Sequence, residues 1–308
     1  MTHVLPLRFH ATHEATAAPA FAPSEKESLL LVAPYPELTY SVVIPAKDEA
    51  ENLPATLAAL AGQVDLQGQP LPARSYEVIV LANNCHDATA QVARQLGQAY
   101  PQLVLHVVEW TLPPADAHVG KARRLLMDEA ARYLRAVGRR QGIIASTDAD
   151  TRVAPTWLAN IGVEIAAGAD AVGGRILTDV ECNTAYPVRR FHLRDAACGL
   201  LAVRLEHQLD PALADPWPWH HQHFGASLAL TAAAYEQVGG LPAVPFLEDE
   251  ALYQALCRHD LRVRHSPAVR VVTSHRRDGR VGVGLSWQLR QWATLSQQLQ
   301  EPTVAGAQ

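Results

Sequence analysis

The chain has 308 residues, 48% of them hydrophobic and 19% charged, with 26 basic against 31 acidic side chains and a formal net charge of −5. That length and apolar content allow one large α/β domain or two smaller ones and exclude a chain disordered throughout. The slight acidity excludes the broad basic face that non-specific nucleic-acid binding requires.

Residues 1–37 are rich in Ala, Pro, Thr and His, show no sustained periodicity apart from an apolar patch at 29–32, and read as a partly disordered extension. From Tyr40 the pattern changes. Ser41-Val42-Val43-Ile44-Pro45 is a β-branched run, followed by Lys47-Asp48-Glu49 and apolar positions Leu53, Leu57 and Leu60, which predicts strand, loop, helix. The unit recurs, with strands at 76–81, 103–108 and 142–146 and helices at 87–100 and 121–137. Strands that are apolar throughout, instead of alternating, indicate a parallel sheet covered by helices on both faces. Such sheets bind ligands at the carboxyl ends of their strands.

After Asp150 the spacing predicts a helix at 156–167, a strand at 171–177 and a long helix at 186–207. That last helix, with Arg189, Arg190 and Arg194 beside an apolar run, reads as a core helix, with contact to a membrane surface as the alternative. A loop at 210–224 follows, holding three prolines, two tryptophans and His220, His221 and His223, a composition more often functional than accidental. The remainder reads as a strand at 227–231, a helix at 248–259, short strands at 261–264 and 269–272, and a last helix from about residue 285. No apolar run approaches the roughly 20 residues that span a bilayer, the N-terminus lacks signal-peptide order, and the four scattered cysteines form no C-x-x-C. A cytoplasmic protein is expected, with peripheral membrane association as a variant of that expectation.

The strongest chemical feature is Asp148-Ala149-Asp150, directly after a strand. In extended backbone, side chains at i and i+2 point the same way, so both carboxylates reach one divalent cation, and hard oxygen ligands suit Mg2+ or Mn2+. The plainer alternative is that Asp150 or Thr151 caps the next helix. Glu248, Asp249 and Glu250 open a predicted helix, where successive side chains diverge by roughly 100° and cannot all face one ligand. By themselves they read as acids complementing the helix dipole.

Taken in order, Ile44-Pro45-Ala46-Lys47-Asp48-Glu49, the stretch from Val78 through Asn83-Asn84-Cys85-His86-Asp87 to Thr89, Gly120-Lys121-Ala122-Arg123, Asp148-Ala149-Asp150, Phe224-Gly225-Ala226-Ser227, Gly239-Gly240 and Leu247-Glu248-Asp249-Glu250 resemble family 2 glycosyltransferases over roughly residues 40–275. The resemblance implies the GT-A fold, an α/β architecture with a mixed, mostly parallel sheet and helices on both faces. It implies a catalytic domain at 38–280, with a nucleotide-binding half at 38–150 and an acceptor half at 151–280, before a C-terminal helix and tail at 281–308.

Residue by residue, it implies a donor-nucleotide site at Pro45, Ala46, Lys47 and Glu49. Asn83 stands where the family carries an aspartate that binds uracil; an amide both accepts and donates, so UDP and GDP are both open. Lys121, Arg123 and Asp148 complete the donor side. Asp148 and Asp150 match the metal site, with His275 as its late histidine and His265 in reserve. Asp249 matches the catalytic base, and Gly225, Ala226 and Glu248 match the sugar-binding region. The histidine cluster lies outside the family pattern, and His223 is read as a sugar contact in preference to a zinc ligand. Gln288-Leu289-Arg290-Gln291-Trp292 lacks the Q-x-x-R-W spacing of processive relatives, which points to transfer of one sugar. The expected activity is that of a metal-dependent, inverting glycosyltransferase taking a UDP- or GDP-linked sugar to a small-molecule or lipid-linked acceptor. A non-catalytic sugar-nucleotide-binding protein and a nucleotidyltransferase on the same fold are the alternatives.

Overall fold

A computed structural model describes residues 28–178, 186–210 and 215–274, with isolated helical positions between 287 and 294. Four parallel strands form its first half: β1 (Tyr40–Ala46), β2 (Tyr76–Asn83), β3 (Val104–Trp110) and β4 (Ile143–Ser146), with β1 between β2 and β4 and β3 outside β2. Beyond β4 the sheet becomes mixed. β7 (Leu228–Thr231) runs antiparallel to β4 and to β6 (Ala171–Thr178), β6 runs parallel to β8 (Val263–Thr273), and β5 (Thr151–Val153) closes the edge antiparallel to β8. The result is an eight-stranded sheet in the order β3-β2-β1-β4-β7-β6-β8-β5.

The apolar strand runs are explained by two cores, one on each face. Val43, Ile79, Leu81, Ile144 and Leu230 pack with α3 (Val119–Ala136), α6 (Ala232–Gln237) and α7 (Glu248–Arg258). Their sequence neighbours Val42, Ile44, Val78, Val80 and Ala145 point to the other face, toward α1 (Leu53–Ala61), α2 (Thr89–Ala99) and α4 (Trp157–Ala166). Because side chains alternate across a strand, a strand buried on both faces is mostly apolar, and its rare polar positions are paired, as Glu77 is with Ser41 Oγ at 2.8 Å. Trp157 of α4 is fully buried, and its indole N–H donates to Ser227 Oγ at 3.0 Å.

Three sequence readings change. The strands expected at 261–264 and 269–272 are one strand, β8, whose pairing jumps from Gly174 opposite Ser266 to Arg175 opposite Arg270. Pro267 has no N–H to give to the ladder and sits in that bulge, so the sequence looks interrupted where the strand is not. Residues 29–32 are docked on α3 rather than loose: the Leu30 N–H donates to Glu129 Oε1 at 3.0 Å and the Tyr133 hydroxyl donates to the Val32 carbonyl. The long helix α5 (Tyr186–Leu209) is not a core helix, since Val203 alone among its described side chains is buried. The expected last helix lies mostly outside the described residues; Trp287, Arg290–Trp292 and Thr294 are helical.

Candidate active site

The three adjacent parallel strands β2, β1 and β4 end at Asn83, Ala46 and Ser146, so the loops carrying the expected donor residues emerge side by side. Pro45 and Ala46 belong to β1 itself, paired with Leu81 and Ala82. The loops beyond β1 and β2 are clasped together. Asp48, in left-handed backbone at φ 51°, accepts from the His86 N–H at 2.5 Å, Ala50 N–H donates to Asp87 Oδ2 at 3.0 Å, and Glu49 N–H donates to Thr89 Oγ1 at 2.8 Å. Glu49 is buried and accepts from Asn52 at 2.8 Å, and Asn83 is buried at the end of β2. Lys47 is half-buried at the loop's start.

Asp48, Cys85 and Asp87 form the one group of three potential metal ligands close together among the described residues. It does not suit Mg2+ or Mn2+. The His86 N–H holds the Asp48 carboxyl low. At Asp87 burial pushes up, but bonds from Thr89 and Ala50 outweigh it and hold that carboxyl low too, while burial pushes the Cys85 thiol up and keeps it protonated. Both carboxylates are occupied in joining the loops, and a protonated thiol is a poor partner for a hard cation.

The helix α3 brings the basic segment to this edge. His118 caps it, its Nδ1 accepting from the Lys121 N–H at 3.2 Å, and Gly120 is required there because a Cβ would lie 1.9 Å from the Val244 carbonyl oxygen. Lys121 lies on its first turn, half-buried. Arg123 was expected beside it as a donor-side cation. Instead it points inward, 4% exposed, and ties the site together. Its Nη1 donates to Ser146 Oγ at 2.6 Å and to the Gly225 carbonyl at 2.8 Å, its Nη2 donates to Asp148 Oδ1 at 2.9 Å, and its Nε lies 3.1 Å from Glu248 Oε1. Burial alone would lower the guanidinium's pKa, but Asp148, Glu248 and Asp249 hold it above its ordinary value.

Asp148 is about one-third exposed, and no described residue donates to its Oδ2. β4 ends at Ser146, so Asp148 and Asp150 lie on the turn after the strand rather than on extended backbone, and their partners differ. Asp150 Oδ2 accepts from Ser274 Oγ at 2.7 Å, and the Asp150 carbonyl accepts the Ser274 N–H at 3.2 Å. The end of β8 therefore meets the aspartate turn. His275 is the next residue in sequence but lies outside the described residues. His265, the reserve ligand, is buried with its Nδ1 2.7 Å from Asp215 Oδ2 and is committed to the 215–220 segment.

Leu247, at φ 58°, turns the chain so that α7 begins with three acids going three ways. Glu248 is buried against Arg123, and burial raises its carboxyl above the usual range despite that contact. Asp249 accepts from the Gly225 N–H at 2.7 Å and from the Glu250 N–H at 2.8 Å. Glu250 accepts from His223 Nε2 at 2.7 Å. His223 also stacks on Tyr253, ring centroids 3.7 Å apart, and its Nδ1 is buried with no hydrogen-bond partner. Gly225 and Ala226 are buried in a 3-10 turn, where a Cβ on Gly225 would lie 2.2 Å from Arg123 Nη1 and where the Ala226 carbonyl accepts from Thr147 Oγ1 at 3.0 Å.

Among the loop histidines, His220 is structural. Its Nε2 donates to the Ser266 carbonyl at 3.1 Å while its Nδ1 accepts the Gln222 N–H at 3.1 Å, which fixes a neutral ring, and burial pushes its pKa down to about 3. His221 is exposed, with its ring edge against α5, where a Cβ on Gly199 would lie 2.5 Å from its Cε1. Sequence reasoning missed the buried tie between Asp215 and Arg264, and the partly buried Tyr253: Arg264 donates to Asp215 at 2.6 Å and to the Pro216 and Pro218 carbonyls, anchoring the tryptophan-rich loop. Their one signal was that both partners are polar residues beside apolar strand or loop segments.

The family described as Glycosyl transferase family 2 matches residues 41–235. Glycosyltransferase AglE of Haloferax volcanii is 30% identical over 139 residues, a match covering 44% of this chain and 38% of that protein. Among solved structures, the mannosyltransferase PcManGT of Pyrobaculum calidifontis in complex with GDP-Man and Mn2+ superposes with a TM-score of 0.53 at 20% identity, over 90% of this chain and 79% of that one. TarS of S. aureus in complex with UDP-GlcNAc gives 0.53 at 15% identity, over 83% of this chain and 66% of that one. These structural likenesses are in the fold, which is GT-A.

Proposed function

This chain belongs to glycosyl transferase family 2, and we propose that it moves one sugar from a nucleoside diphosphate donor to an acceptor nucleophile with inversion, aided by Mn2+ or Mg2+. The observation that carries this reading is the unbroken path from Asp148 through Arg123 and Gly225 to Asp249. It joins a partly exposed carboxylate beyond β4 to a second carboxylate at the start of α7, the two-sided arrangement an in-line displacement needs.

The donor set fits a hard divalent cation. Asp148, Glu248 and Asp249 surround one guanidinium, so formal negative charge exceeds positive in a partly buried cluster, and Asp148 Oδ2 has no described donor. Asp148 and Asp150 would hold the ion, which would supply Lewis-acid stabilisation of the departing diphosphate. The PcManGT complex contains GDP-Man and Mn2+, which supports the same donor class here. Asp249, oriented by the Gly225 and Glu250 amides, accepts the acceptor's proton. His223, held by Glu250 and stacked on Tyr253, stands beside Gly225 on the acceptor side. Lys121, at the N-terminal turn of α3, adds positive charge on the donor side.

The test is turnover with a panel of UDP- and GDP-sugars and Mn2+, read as released nucleoside diphosphate. Asp249→Asn is expected to lower turnover by about 100-fold or more while donor affinity survives. Wild-type turnover in that variant overturns the base. Donor affinity that is indifferent to Mn2+ and Mg2+ overturns the metal role.

A further inference from the structure

We propose that α5 is a docking surface for an anionic lipid bilayer, on which the helix lies flat. Leu193, Leu200, Leu201, Leu205 and Leu209 are between 44% and 77% exposed, although leucine is ordinarily among the most buried residues. Arg190, Arg194 and Arg204 are exposed among them. No exposed position within the helix's described side chains carries a carboxylate; its acids Asp195 and Glu206 are partly covered and have partners, and the exposed Asp210 lies just past its last residue. In a chain with net charge −5, this is a local face of one sign.

The alternation of leucine and arginine identifies the occupant. Arginine stems lie along apolar surface while their guanidinium groups reach outward, so leucines enter the acyl boundary as the charges meet lipid phosphates. A symmetric contact with a second copy would set the same exposed arginines against each other, with no exposed carboxylate within the helix to answer them. No described helix is long and apolar enough to cross a membrane, so α5 rests on the bilayer instead of spanning it. Trp217, 48% exposed and stacked on His207 at the end of α5 with ring centroids 5.4 Å apart, adds an aromatic group suited to the headgroup level. The helix sits over His221, four residues before Gly225, so the docked face and the sugar-transfer site share one loop. The docking surface does not depend on the proposed reaction.

Sedimentation of the full chain with phosphatidylcholine vesicles containing about one-third phosphatidylglycerol reads the effect directly. Binding is expected to these vesicles, to weaken in high salt and to vanish on phosphatidylcholine alone. Arg190→Ser/Arg194→Ser/Arg204→Ser is expected to weaken partition by about 100-fold, from about 1 kcal/mol per charge. Leu200→Glu/Leu201→Glu/Leu205→Glu is expected to abolish it with melting temperature and donor hydrolysis unchanged, which separates a lost surface from a lost active site. No wild-type binding to the anionic vesicles, or variants that bind like the wild type, overturns the proposal. Self-association lost in the leucine variant without vesicle binding also overturns it and gives the face to a second copy.

Discussion

Arg123 shows what one side chain does in this site. A guanidinium is the one protein cation able to meet Ser146, Gly225, Asp148 and Glu248 at once, because its donors diverge in a fixed plane. Arg123→Ala leaves Glu248 buried without its counter-charge and is expected to cost about 3–5 kcal/mol, measured by urea denaturation. Arg123→Lys keeps the charge but loses the fork and is expected to recover only part of that. Asp148 and Asp249 were legible as individual acids, but the tie between them was not. Lys121 and Arg123 read as a matched basic pair, yet residues two apart on a helix point roughly 200° away from each other, so only one could stay at the surface. His220 supplies a pH test. Its folded pKa of about 3 lies below the ordinary 6.5, so the unfolded chain takes up a proton in that window that the native state refuses. Its contribution is complete above that window and declines as pH falls through it. Urea midpoints at pH 7 and pH 5 are expected to differ less in His220→Gln than in the wild type.

At the scale of elements, what the sequence made visible was every strand long and apolar enough to be buried on two faces. What it hid were elements whose reason lies elsewhere in the chain. β5 has three residues and exists because Thr151 to Val153 meet Thr273 to Val271, more than a hundred positions away. β8 looked broken because of Pro267, and α5 resembled a core helix because leucine content says nothing of what is available to cover it. The start of α3 was read correctly as a helix, but the reason for its glycine was a distant loop. Gly120→Ala would drive a Cβ into the Val244 backbone, which cannot rotate away as a side chain would. Displacement of the α3 N-terminus is expected, with a melting temperature lowered by several degrees and weaker donor binding, checked by calorimetry with GDP and UDP.

For the molecule as a whole, the alternation of strands and helices announced the parallel half; β4 and β7 were legible as strands, but their residues did not reveal that β7 runs antiparallel between β4 and β6. Residues 29–32 belong to the packing of α3, where Leu30 is 9% exposed and its N–H answers the buried Glu129. A chain beginning at residue 38 is therefore expected to be about 2–4 kcal/mol less stable than one beginning at residue 28, by urea denaturation, since it loses an apolar side chain and a charge-assisted bond.

Gly225 is gripped twice, its amide by a carboxylate at the start of α7 and its carbonyl by the arginine rooted in α3. One residue thus works as a caliper between two helices on the same core. In the proposed reaction the gap between leaving group and incoming nucleophile is set by the length of a single residue, so a change that loosens either jaw is expected to be felt in the Michaelis constants of both substrates together.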